Sequence, residues 1–223
     1  EPKRIKTGLL GAKIETDPSG YYKISSILEG ANWSNTLRSP LQEIGVNAKE
    51  GDFIVSIDGV STKSVNDIFS LLVGKANKKV EIALNNKASE VGARKVIITP
   101  IDDEADLYYY NWVQNNIRKV NEATNGEIGY IHIPDMGVDG LNQFARLFYP
   151  QLNKKGLIID DRGNGGGNVS PMIIERLQRE AQRSNIRRNF THPTPVPQQL
   201  VLGPKVLLIN RYSASDGDLF PYA

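Results

Sequence analysis

Cysteine is absent from the 223-residue sequence. That excludes disulfides, thiolate zinc sites and a cysteine nucleophile, and it fits oxidising and reducing compartments equally. Histidine occurs only at positions 132 and 192. His132 lies inside a strand-like apolar run and reads as core, while His192, in Thr191-His192-Pro193-Thr194-Pro195, reads as an exposed loop residue. No apolar run reaches the roughly 18 residues of a membrane span and no signal peptide opens the chain, so no membrane partner is expected. Charge of one sign is also lacking: 27 basic against 25 acidic residues leave a net +2. That provides no basic field for a nucleic acid, and Arg179, Arg183, Arg187 and Arg188 read as a solvated helix end or a local anion contact. An initiator methionine is missing and the chain stops at Ala223 directly after a dense motif, which reads as a piece of a longer protein.

What is present divides into two patterns. Residues 1–100 carry short β-branched runs punctuated by turns, with strands expected at 8–14, 21–28, 53–57, 80–84 and 94–98. Asp58-Gly59 between Ile57 and Val60 is a hairpin signal. A helix is expected over 64–72, capped by Ser64, with Val65, Ile68, Phe69 and Leu72 on one face. Trp33 and Pro40 are expected to pack on the sheet from a long loop. Residues 101–126 form a joint: the acids Asp102, Asp103, Glu104 and Asp106 read as a helix N-terminal cap and solvated linker rather than a metal site. The helix that follows runs to a stop at Asn125-Gly126.

From residue 127 strands and helices alternate, the pattern of a mostly parallel α/β sheet. Strands are expected at 128–134, 157–160 and 206–210, and helices at 140–149 and 171–183. The second strand runs into Asp161-Arg162-Gly163-Asn164-Gly165-Gly166-Gly167, the third into Ser213-Ala214-Ser215-Asp216-Gly217-Asp218. Glycines at such a strand end let backbone N–H groups face a crevice with no Cβ in the way, which suits an oxyanion or a phosphate. A phosphate loop needs Gly-Lys-Ser/Thr after the glycines, and Asn168-Val169-Ser170 follows instead. The dinucleotide fingerprint is incomplete as well, so no nucleotide cofactor is expected. An oxyanion hole needs only N–H groups and a nucleophile, and Ser215 supplies one.

Two families account for these motifs. The run Lys49 to Gly59, with Gly51-Asp52, a short strand and Asp58-Gly59, resembles the hallmark segment of PDZ domains. These domains add a peptide as a strand and hold its carboxylate in a nest of N–H groups; Gly8, Leu9, Leu10 and Gly11 are the loop that would do so here. Gly129-Tyr130-Ile131-His132-Ile133-Pro134, the glycine turn and the Ser-Asp-Gly-Asp motif resemble the tricorn protease family, within the tail-specific (C-terminal processing) serine peptidases, which also place a PDZ domain before the catalytic core. The resemblance implies a fold of a β-rich PDZ-like domain (1–100) followed by an incomplete α/β serine peptidase core (127–223).

By the same resemblance Ser215 is the nucleophile, with Ser213 its near competitor, and the N–H groups of Asp216 and of Gly165 or Gly166 form the oxyanion hole. The family takes its general base from a histidine preceding the PDZ domain and a supporting acid from beyond the core; neither segment lies in this chain. A serine without its base is a weak nucleophile, so residues 1–223 alone are expected to be nearly inert. The resemblance implies a protein that trims peptides and forms large homo-oligomers, and no cofactor or metal is expected. Peptide or unfolded-protein substrates are therefore expected; the basic preference of archaeal members is not carried over to this chain, because Arg183-Ser184-Asn185 stands where those tend to carry an acid. A cytoplasmic location is expected, with a periplasmic or exported one as the alternative. The rival function is a peptide-binding scaffold without catalysis.

Overall fold

The computed structural model describes residues 4–223. The chain divides between Trp112 and Val113 into two compact units, the division falling inside the helix α1 (Ala105–Ala123). Asp103 caps that helix as expected: its Oδ1 accepts the Ala105 N–H at 2.8 Å.

In the first unit β1 (Ala12–Thr16), β2 (Tyr22–Ile27), β3 (Phe53–Ile57), β5 (Val80–Asn85) and β6 (Arg94–Ile98) form an antiparallel sheet in the order β1-β2-β3-β5-β6. The two-residue strand β4 (Val60–Ser61) pairs with β3. Ile24, Ile54, Ile82 and Leu84 are wholly buried on its core face. Each such side chain stabilises the fold by about 1.5–3 kcal/mol. Asp58 and Gly59 both have positive φ (+47° and +79°), the backbone a tight two-residue hairpin requires, and Ile57 faces Val60 across the turn.

Three expectations for this unit are corrected. The helix over 64–72 is two short 3-10 turns, Thr62–Ser64 and Ile68–Leu72, because Val65 between them is extended. The cap is Asp67, whose Oδ1 takes the Phe69 N–H at 2.9 Å, while the Ser64 hydroxyl donates to Ser61 O. The first strand begins at Ala12 rather than residue 8, since Gly11 at φ +68° turns the chain. Trp33 does not pack on the sheet, being 81 % exposed, although Pro40 is buried.

The second unit carries β7 (Ile128–His132), α2 (Val138–Phe148), β8 (Gly156–Asp160), α3 (Ser170–Leu177), β9 (Arg183–Asn185), β10 (Thr194–Val196), β11 (Lys205–Leu208) and α4 (Asp216–Leu219). β7, β8 and β11 make a parallel sheet in the order β11-β8-β7. Its α/β class is the one the alternating pattern implies. α2 buries Phe144 and Phe148, whose rings stack at 4.9 Å. α3 stops at Leu177 instead of continuing to 183; the chain turns out into a β9–β10 hairpin that the sequence pattern did not announce. Arg179 pairs with Glu175 one helical turn back, and Arg183 opens β9. Since β8 and β11 are parallel neighbours, with Leu208 opposite Asp160, the segments leaving their C-terminal ends start side by side.

Candidate active site

The glycine turn follows β8 and the serine turn follows β11, and hydrogen bonds fasten one to the other. Asp161 N–H donates to Leu208 O (2.8 Å), Gly163 N–H to Asn210 Oδ1 (3.1 Å) and Ala214 N–H to Asn164 O (2.9 Å). Ser213 donates its hydroxyl to Asp161 O at 2.9 Å, so this serine is committed to holding the turn.

Asn164 is fully buried at the centre. Its Nδ2 donates to Asp161 Oδ1 (2.8 Å) and Ile133 O (3.2 Å), and its Oδ1 accepts the Gly166 N–H (2.9 Å). One side chain thereby ties together the end of β7, the start of the glycine turn and its middle. Of the two candidate oxyanion glycines, Gly166 donates its N–H to Asn164 Oδ1. Gly165, next to it, is exposed and has no hydrogen-bond acceptor among the described residues.

Ser215 is exposed and sits at φ +54°, ψ −126°, immediately before α4. A non-glycine residue at positive φ costs on the order of 1–3 kcal/mol and persists only where its surroundings hold it. Two anchors hold it here. Asp216 points its carboxylate at the start of α3, accepting the Ser170 N–H (3.1 Å) and hydroxyl (2.5 Å). On the other side Gly166, at φ +100°, lies flat against the elbow: a Cβ there would stand 2.6 Å from Ser215 Cβ, 2.9 Å from Ala214 O and 3.0 Å from Asp216 N. An exposed serine on a strained strand-to-helix elbow, pressed against a glycine backbone, is the local geometry of a serine nucleophile. Residues 8–103 match the family described as Tricorn protease PDZ domain, and residues 127–223 match Peptidase family S41.

The chain belongs to the tricorn protease family. It is 38% identical to the tricorn protease of Thermoplasma volcanium, over 92% of this chain and 20% of that protein. To tricorn protease homolog 1 of Streptomyces coelicolor it is 35% identical, over 96% of this chain and 20% of that protein. The solved tricorn protease superposes with a TM-score of 0.85 at 35% identity, over 97% of this chain and 21% of that one. The chain thus spans about a fifth of the length of the relatives it matches.

In this tricorn-family chain neither histidine hydrogen-bonds to Ser215. His132 is buried, as a core residue should be, with Nε2 3.4 Å from Arg162 O, and burial lowers its pKa. His192 lies exposed between β9 and β10. The neighbouring carboxylates Asp160 and Asp161 are both fully buried but differ in charge. Burial would raise the Asp160 pKa, yet the Arg162 guanidinium and the Tyr130 hydroxyl outweigh it and keep this acid ionised. Asp161 has no cation beside it, and its Oδ2 is unpartnered; burial, with repulsion from Asp160 and Asp216, pushes its pKa to about 7.

Asp161 therefore keeps a proton in the folded state that the unfolded chain loses near 3.8. Its contribution to stability is complete below that value and is lost as pH rises through about 7, at up to about 1.4 kcal/mol per pH unit. Asp161→Asn keeps an acceptor for Asn164 and cannot ionise. Its Tm is expected to exceed that of the wild type at about pH 8 and to match it at about pH 4. Thermal melts across this range check the claim; parallel Tm profiles for the two proteins would refute it.

In the expected PDZ carboxylate loop the N–H groups of Gly8, Leu9 and Gly11 are engaged within the first unit, while that of Leu10 has no acceptor among the described residues. Gly8 and Leu9 donate their N–H groups to Leu72 O (2.9 Å) and Ile101 O (2.7 Å), and the Gly11 N–H goes to Glu104 Oε1 (2.7 Å).

Proposed function

We propose that this chain contributes the nucleophile and oxyanion hole of a serine peptidase that hydrolyses peptides. The observation that carries the reading is Ser215, exposed at positive φ with the Gly166 backbone pressed against its elbow. Ser215 Oγ attacks the scissile carbonyl carbon, its proton passing to a base and from there to the leaving amine as the C–N bond breaks. The N–H groups of Gly165 and Asp216 receive the negative charge on the carbonyl oxygen, and water then hydrolyses the acyl-enzyme. Gly166 serves differently: its missing side chain lets the two turns meet. The engagement of Ser213 with Asp161 O supports Ser215 over Ser213 as the nucleophile.

The base is a histidine outside residues 1–223, in keeping with the absence of any hydrogen bond from His132 or His192 to Ser215 among the described residues. Residues 1–223 alone accordingly turn over negligibly, and self-association into a homo-oligomer belongs to the complete protein. Peptides are the substrate class, which the peptide-binding architecture of the first unit supports.

Covalent labelling tests this. The protein expressed from its complete reading frame is treated with a fluorophosphonate and the modified peptide is located by mass spectrometry. The adduct is expected on the peptide containing Ser215, to persist in Ser213→Ala and to be lost in Ser215→Ala. A folded protein that takes no label would instead favour a peptide-binding scaffold without catalysis.

A further inference from the structure

The serine turn carries a cation that the catalytic steps leave unused. Residues 181–215 contain five lysine and arginine side chains, Arg183, Arg187, Arg188, Lys205 and Arg211, and no aspartate or glutamate. Arg211 is the nearest of these to the nucleophile along the chain, four positions before Ser215. It is exposed, and no described carboxylate pairs with it, whereas Arg162 and Arg179 of the same unit are held by Asp160 and Glu175.

What holds Arg211 is an aromatic ring. Its guanidinium lies 4.8 Å from the Tyr212 ring centroid, and Nη2 donates to the Tyr212 hydroxyl. An arginine set on an aromatic face keeps its charge and most of its N–H donors while giving up side-chain freedom. The backbone beneath is fixed as well. Asn210 Oδ1 accepts the Tyr212 N–H (3.0 Å) and the Gly163 N–H (3.1 Å), and Asn210 O accepts the Ser213 N–H (3.0 Å). These bonds tie the arginine turn to the glycine turn, in which Gly163 and Gly165 are exposed, as Ser215 is. A planar fork ordered in advance beside a nucleophile suits a carboxylate, which it binds through two parallel hydrogen bonds.

Reach limits which carboxylate that is. Four residues of chain span at most about 14 Å, and an extended peptide advances about 3.3 Å per residue. We propose that Arg211, set on Tyr212, forms a substrate subsite for an aspartate or glutamate side chain lying within about four residues of the scissile bond. The subsite rests on the peptidase reading and adds to it a class of substrate, peptides with an acidic residue near the point of cleavage.

The protein expressed from its complete reading frame is assayed on fluorogenic peptides identical but for one side chain. Glutamate, glutamine or lysine is placed in turn at each position flanking the cleaved bond. At one position glutamate is expected to give a kcat/KM about tenfold above glutamine, tenfold being about 1.4 kcal/mol. The ratio should shrink as salt is raised to about 1 M, because the pair is exposed. Arg211→Gln is expected to bring glutamate and glutamine to equality, and Arg211→Glu to turn the preference toward lysine at the same position. Turnover with no position favouring glutamate, or a glutamate preference that survives in Arg211→Glu, would overturn the subsite and leave the peptidase reading standing. A folded protein that neither cleaves these peptides nor takes the fluorophosphonate label would overturn both. Should Arg211→Glu fail to fold, Arg211→Gln carries the comparison: loss of the glutamate preference supports the subsite, and an unchanged ratio refutes it.

Discussion

Ser215→Ala, in the protein expressed from its complete reading frame, is expected to lower peptide turnover by on the order of a millionfold. The size follows from what is lost. Without Oγ there is no acyl-enzyme, and what survives is the roughly 10³–10⁴-fold acceleration that oxyanion donors and binding alone supply. Substrate affinity should hardly change, because the hydroxyl is exposed and hydrogen-bonded to no described residue. The strain at φ +54° gives the same position a second signature. Ser215→Gly should be equally inactive yet more stable than Ser215→Ala by about 1 kcal/mol, since glycine adopts this backbone without a Cβ penalty. Steady-state kinetics on a fluorogenic peptide and thermal melts measure both. A Ser215→Ala protein retaining a hundredth of its activity, to order of magnitude, would place the nucleophile elsewhere.

Gly166→Ala is expected to cost about 10⁴-fold in turnover although no catalytic atom is removed. The new Cβ would stand 2.6 Å from Ser215 Cβ and 3.0 Å from Asp216 N, at a φ of +100° that alanine disfavours. None of these neighbours is the free end of a flexible chain, so either the glycine turn or the serine elbow must retreat. A displacement on the order of an ångström costs about a hundredfold in orientation, and spoiling one oxyanion donor costs about a hundredfold or more again. Gly165→Ala is the control, for nothing lies within 4 Å of a Cβ there and its φ is not positive. It keeps its N–H, and it should stay within about tenfold of the wild type and within about 1 kcal/mol in stability. Equal damage from the two alanines would show that the contact at Gly166 is not what matters.

The parts of the candidate active site are joined by side-chain hydrogen bonds. In the second unit Asn164 and Ser213 bind the turns to each other, and Asp216 binds the elbow to α3. Asp161 is buried beneath these bonds, and that burial, with repulsion from Asp160 and Asp216, is what pushes its pKa to about 7.

Much of this was legible in the chain. The alternation after residue 127 specifies a parallel sheet because apolar runs covered on both faces need helices between them. Asp58-Gly59 specifies its hairpin because only a few residue types accept two consecutive positive φ values. Ser215 and the neighbouring glycines were readable as a pair, since each follows an apolar run and strand ends of such a sheet share an edge. Local propensity misled where a β-branched residue or a tertiary contact overrode it. Val65 breaks the helix expected from the spacing of Ile68, Phe69 and Leu72, and the β9–β10 hairpin replaces the end of α3.

The parallel sheet of the second unit and the glycine-dependent turns are properties of a few neighbouring residues, and the sequence by itself determined them. Which N–H groups remain free was decided only by the tertiary structure. Asn164 takes the Gly166 donor, Asp216 reaches Ser170 across 46 residues and Glu104 takes the Gly11 donor across 93. The physical reason is that a buried donor or acceptor must find a partner somewhere in the folded chain, and where it finds one is a matter of proximity in space that no local pattern encodes.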